Sequence, residues 1–173
     1  MRIARVSSEM RGETDRLLTD VADQLQAGGK VLAGIVKDLS HTSTYDNGCD
    51  MKVRVMPEGP VIQITQNLGT GSDACRLDPG ALTNAVSIVE NSSFDKTDLF
   101  ILNKFGPEEA VGRGFVSAIG KALEEGIPVL VGVGVAGAIV VVERVVREVG
   151  GGATRVVYLN PVLAGAGTRG TLV

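Results

Sequence analysis

Short apolar stretches alternate with stretches of helical periodicity along the whole chain, and nothing else in the sequence restricts the fold as much. Arg2–Val6 (RIARV) reads as a strand. Leu17, Leu18, Val21 and Leu25 then recur at helical spacing until Gly28-Gly29 stops the helix. Lys30–Val36 is a second strand. Residues 51–66 alternate apolar with polar residues around the Glu58-Gly59-Pro60 turn, the pattern of a hairpin with one wet face. Asp78-Pro79 supplies an N-cap and a first-position proline for a helix buried through Ala81, Leu82, Ala85, Val86 and Val89. Asp98–Asn103 is the next strand, followed by a helix with Phe115, Ala118, Ile119, Ala122 and Leu123 inward and Gly126 as its cap. A strand in IPVLVGV, a Val-rich helix at 141–149 and the strand RVVYL complete the series. Strands joined through helices must run parallel and be covered on both faces, so the expected fold is an α/β three-layer sandwich. Its sheet is mostly parallel, with the hairpin as an antiparallel insertion.

No repeat divides the chain, and 173 residues suit one domain over 1–162 with a loose tail at 163–173. At 44% hydrophobic and 21% charged residues it can fill a core rather than stay disordered. A net charge of −3, with 3% aromatics and no Trp, argues against nucleic acid as a partner. Gly126–Val142 is uncharged, but a bilayer span needs ~20 apolar residues, and Pro128 and several glycines interrupt this stretch. No membrane insertion is expected. The polar start (MRIARVSSEMRGE) lacks the apolar core of a signal peptide, and two cysteines suit reduced thiols, so the expected location is cytoplasmic.

In a parallel sheet ligands gather beyond the carboxyl ends of the strands. The first such loop is Ser7–Thr14, SSEMRGET. A phosphate-binding loop reads G-x-x-x-x-G-K-[ST], in which glycines open backbone amides to phosphate and the lysine neutralises it. Against that pattern Gly12 and Thr14 match, Ser7 replaces the first glycine and Glu13 replaces the lysine. Ser7, Ser8, Gly12 and Thr14 are the candidate anion contacts here, and an ordinary βα turn is the competing reading. A glutamate at the lysine position repels phosphate, against which helix N-terminal amides contribute less.

The second loop follows Asp98–Asn103, in DLFILNKFGPEEAVGRGF. An acid, apolar residues, two polar residues and then Phe-Gly-Pro-x-Glu resemble the Walker B region of the small P-loop nucleoside triphosphatases first known from thermophiles. In that family the strand ends in two acids. The resemblance puts Asn103 and Lys104 in their place, with Gly106 and Glu109 on the later glycine and acid. CRLDPGAL and LFILNKFGPEEAVGRGF together resemble, more closely, an uncharacterised bacterial family described as NTPase-like, whose members often lie near molybdate-uptake genes. That resemblance covers most of the chain up to about Val133. It implies a P-loop-NTPase-like fold with altered Walker A and Walker B motifs and a link to molybdenum metabolism.

Lys104, Arg113 and Arg76 are the cations placed to hold an oxyanion, by fork geometry for arginine and as a point charge for lysine. Glu109 and Arg113 lie four apart and can equally form a surface pair. Cys49, Cys75 and His41 sit in polar loops flanking the hairpin. They offer soft ligands to zinc or an oxometal species, although no metal-binding spacing is present and free thiols are the plainer reading.

Hydrolysis of a nucleoside triphosphate needs Mg²⁺ beside the phosphates. Asn103 brings no negative charge and Lys104 repels the ion, so neither Mg²⁺ nor turnover is expected. The sequence therefore favours non-hydrolytic binding of a small anion, with nucleotide and molybdate both open as ligands. An active nucleoside triphosphatase or phosphotransferase using Glu9, Glu13 or Glu109 is one alternative. A protein-interaction subunit is the other. A homo-oligomer stays open.

Overall fold

The computed structural model describes residues 2–8, 10–42, 50–66 and 77–134, and the backbone of 155–159. In chain order these form β1 (Arg2–Val6), α1 (Glu13–Ala27), β2 (Leu32–Lys37), β3 (Lys52–Met56), β4 (Val61–Gln63) and α2 (Pro79–Asn91). They continue as β5 (Leu99–Phe105), α3 (Pro107–Ala110), α4 (Val116–Glu124), β6 (Val129–Val133) and β7 (Arg155–Leu159). The strands make one sheet in the order β4-β3-β2-β5-β6-β1-β7. Pairing is parallel from β2 through β5, β6 and β1 to β7, and antiparallel only where β3 and β4 join β2. The carboxyl ends of β1, β2, β5 and β6 therefore share one rim.

Successive residues of a strand face opposite sides, and the sheet uses both. Leu32, Val36, Ile101 and Leu130 pack with Leu18 and Ala22 of α1. Ala33, Ile35, Phe100, Leu102, Val129 and Val131 pack on the other side with Ala85 and Val89 of α2 and Ala118, Ile119 and Ala122 of α4. This is the expected three-layer α/β arrangement with its antiparallel hairpin. Asp78 caps α2 as anticipated, its Oδ1 accepting the Ala81 amide at 2.9 Å. No helix among the described residues is long and apolar enough to cross a membrane.

Several boundaries move. Val21, expected on the buried stripe of α1, is exposed; the helix settles on the sheet through the small Ala22, so the stripe runs Leu18, Ala22, Leu25. β4 ends at Gln63, after which Thr65 bridges to Leu77 rather than extending the hairpin to 66. β5 starts one residue late because Asp98 is occupied outside it: its carboxylate accepts the Val31 amide at 2.9 Å and the Lys30 ammonium at 3.1 Å. The strand then continues through Lys104 to Phe105, with an irregular register against β6 after Leu102. The single helix expected after it divides into α3 and α4, separated by a turn in which Gly112 and Gly114 take φ of 80° and 59°. The Val-rich helix at 141–149 and the tail at 163–173 lie outside the described residues.

Candidate functional site

Three side chains converge on the rim where α1 crosses β2 and β5. Lys37 ends β2, Asn103 lies near the end of β5, and Asp15 occupies the first turn of α1. The Lys37 amide donates to Asn103 Oδ1 at 3.2 Å, and Asn103 Nδ2 donates to Asp15 Oδ1 at 3.2 Å. Lys37 Nζ closes the ring on Asp15 Oδ2, also at 3.2 Å. A fourth tie fixes the same residue, since the buried Thr19 hydroxyl donates to the Lys37 carbonyl at 3.0 Å.

This ring explains why the strand carries an amide. Asn103 is 3% exposed, and its side chain must accept from one backbone amide while donating to a carboxylate. An aspartate can do the first and not the second. The negative charge of this ring sits on Asp15, where an ammonium neutralises it. Neither Lys37 nor Asp15 stood out in the sequence. Lys37 read as the first residue of a polar loop, and a lone acid in a first helical turn is ordinary. Only the pairing of β2 with β5 brings them together.

Residues 7–8 and 10–14 lie above the same rim. Gly12 precedes α1 at φ 77°, a left-handed value that glycine adopts without strain. Ser8 Oγ accepts the Met10 amide at 3.1 Å, and Ser7 is half-buried. At the end of β6, Gly132 permits the close approach of α1. A Cβ there would stand 2.2 Å from the Asn103 carbonyl oxygen, 2.6 Å from Leu18 and 3.0 Å from the Thr14 methyl. Thr14 and Asn103 are thus neighbours. Glu13 turns its charge sideways: Arg16 binds it at 2.6 and 2.9 Å and also reaches Asp20 at 2.7 Å. The Arg16 hydrogen bond holds the Glu13 carboxyl below its ordinary value. Repulsion of an anion by Glu13 is therefore weaker than its position alone implies.

The other candidate cations lie elsewhere. Lys104 is exposed at the mouth of a cavity of about 250 Å³ on the α2 side of the sheet, lined chiefly by Ile35, Met51, Val53, Ile64, Leu82 and Phe115. Arg113 stands in the α3–α4 turn and not within a helix, where Glu108 binds it at 2.7 and 3.2 Å. The expected pairing of Arg113 with Glu109 does not form, because Glu109 is buried. Its two oxygens accept the Gly106 amide at 2.8 Å and the Phe115 amide at 3.2 Å, bracing both ends of the segment between β5 and α4. Arg76 lies outside the described residues, as do Cys49, Cys75 and Glu9. His41, assigned above to a metal site, has Nε2 2.9 Å from Asp50 Oδ2. Among the described residues no three His, Cys, Asp or Glu groups converge as a metal site would require.

Mg²⁺ does not fit the rim as built. Asp15 already carries a cation, and Asn103 adds no charge to attract a second one. What remains is a rim whose one ammonium is paired with Asp15, with a helix start above it.

Comparison with known proteins follows the same lines. A family model described as "Protein of unknown function (DUF2478)" matches residues 3–138. Molybdenum import ATP-binding protein ModC 2 of Bradyrhizobium diazoefficiens is 34% identical over 134 residues, which is 76% of this chain but 15% of that protein. The chain therefore spans a small part of that relative. Among solved structures, a human cancer-related nucleoside triphosphatase superposes with a TM-score of 0.60 at 14% identity, covering 94% of this chain and 91% of that one. THEP1 from the hyperthermophile Aquifex aeolicus gives a TM-score of 0.59 at 13% identity, covering 96% and 94%. At such identities the likeness shows the fold, that of the small P-loop nucleoside triphosphatases.

Proposed function

The chain belongs to the DUF2478 family, and we propose that its domain binds a small anion at the strand rim without hydrolysing it. The observation that carries this reading is the Asp15–Lys37–Asn103 ring, which puts an internal ammonium where a hydrolase needs a charge that attracts Mg²⁺. The anion sits over the start of α1, with Ser7, Ser8, Gly12 and Thr14 around it and Lys37 beneath. Helix N-terminal amides favour such a charge. Lys37 has donors left after binding Asp15, since an ammonium carries three. Lys104 and Arg113, which lie away from the rim, do not carry the attraction in this reading. The ModC-named relative makes molybdate and nucleoside triphosphates the first ligands to try.

Calorimetric titration with molybdate, phosphate, ATP and GTP, each with Mg²⁺ and with EDTA, tests the reading. At least one is expected to bind equally in both conditions and to stabilise the fold by mass action. Lys37→Met is expected to weaken that affinity about tenfold or more, with a smaller loss at high salt. Phosphate release from ATP or GTP is expected to match a protein-free blank. Mg²⁺-dependent release above the blank that disappears in Asp15→Asn would restore a hydrolase.

A further inference from the structure

The cavity beside Lys104 touches the rim ring through Asn103 but opens on the opposite, α2 side of the sheet. Its apolar side chains include Ile35, Met51, Val53, Ile64, Leu77, Leu82 and Phe115. They come from β2, the hairpin and its following residues, the approach to α2, α2 itself and the turn before α4. Ile35, Val53, Ile64 and Phe115 belong to the main core, so the floor is part of the packed interior. At about 250 Å³ the space has room for a small organic molecule, and an apolar wall gives waters few partners.

Nearly all the polar lining is already committed. Asn103 is held in the ring with Asp15 and Lys37. Both oxygens of Glu109 accept backbone amides, and both oxygens of Glu108 accept Arg113. Thr65 Oγ1 accepts the Met51 amide at 2.9 Å, which leaves its hydroxyl proton. No side-chain hydrogen bond or ion pair among the described residues engages the Lys104 ammonium. The Lys104 ammonium is thus left over as a full charge, while the carboxylates of Glu108 and Glu109 are held by Arg113 and by backbone amides.

We propose that this cavity binds a small organic carboxylate, its apolar body inside and its carboxylate on the Lys104 ammonium. Such sites combine an apolar wall with a few polar groups that fix orientation, and among the described residues no carboxylate pairs with the Lys104 ammonium of this one. A neutral apolar molecule would leave Lys104 without a partner. A cation would meet Lys104 itself.

Octanoate is the probe, with octan-1-ol as the body without the charge and acetate as the charge without the body. Calorimetry should show octanoate binding, acetate failing to bind and octan-1-ol binding more weakly. From butyrate through hexanoate to octanoate, affinity should rise about fourfold per methylene while the cavity still has room. Lys104 is exposed, so Lys104→Met should fold. It should weaken octanoate about tenfold, leave octan-1-ol unchanged and remove the salt dependence, while Lys104→Arg should retain most of the affinity. Methyl NMR shifts should centre on Val53, Ile64 and Leu82. Lys37→Met, which tests the rim, should leave octanoate affinity intact, so either reading can fail without the other. Absence of octanoate binding at millimolar concentration, equal affinity in Lys104→Met, or shifts confined to other methyl groups would each overturn the proposal.

Discussion

Replacing Asn103 with aspartate restores an acid near the end of β5 and tests the ring directly. The new carboxylate would sit where Asn103 Nδ2 now lies, 3.2 Å from Asp15 Oδ1. Two unit charges at that separation repel by ~5 kcal/mol at an effective dielectric near 20. Lys37, bound to the other oxygen of Asp15, offsets part of this. Protonation sets a ceiling: keeping one carboxyl neutral at pH 7, about three units above its unfolded pKa, costs about 4 kcal/mol. The expected destabilisation at pH 7 is therefore about 2–4 kcal/mol. The sign with pH is the reverse of the usual carboxylate. A carboxyl whose folded pKa is raised carries no penalty below its unfolded pKa near 4, and the penalty grows as pH rises toward the folded pKa. By the same ceiling the deficit should fall to about 1.5 kcal/mol or less at pH 5, where the protonated acid can donate to its neighbour as the amide did. Urea unfolding of both proteins at pH 7 and pH 5 measures this. Mn²⁺ or Mg²⁺ should then stabilise Asn103→Asp at pH 7 and leave the parent unaffected, because only the variant sets a second carboxylate against Asp15. A variant as stable as the parent at pH 7, or an equal deficit at both pH values, would refute the reasoning.

Glu109→Gln should destabilise by about 1–3 kcal/mol, read from urea midpoints. One of its two amide-accepting oxygens becomes a donor facing a backbone N–H in a buried place. The matching position in an active hydrolase would lose turnover first; here stability should move. Asp98→Asn should alter the acid limb of the stability curve. The Val31 amide, followed by Lys30, holds the Asp98 carboxyl below its ordinary value. Its contribution is thus present above the unfolded pKa and lost as pH falls through the folded one. The variant should be less stable at neutral pH and show a shallower decline below about pH 4 in thermal melts.

Alternating short-range patterns were enough to determine the layers. Residues two apart in Ala33 and Ile35, or three and four apart along α1 and α4, select strand or helix and a buried face before any distant contact forms. The caps were equally local, since Asp78 and Pro79 act within one turn. The sequence also put an amide near the end of β5, and Asn103 stands there. Its meaning was not local. Asn103 is explained by Lys37 and Asp15, residues far from it along the chain and joined only when β2 pairs with β5 and α1 folds across them. The same holds for Glu109, a surface-pair candidate by spacing but a buried brace once the chain turns at Gly112 and Gly114. Lys104 and the Ser7–Thr14 loop looked like one cleft because both follow strands. Side chains of successive strand residues face opposite ways, so the sheet turned Asn103 toward α1 and Lys104 toward the cavity. Strand identity follows from nearest neighbours, but a site is set by which strands are adjacent, and adjacency is decided only when the whole sheet packs.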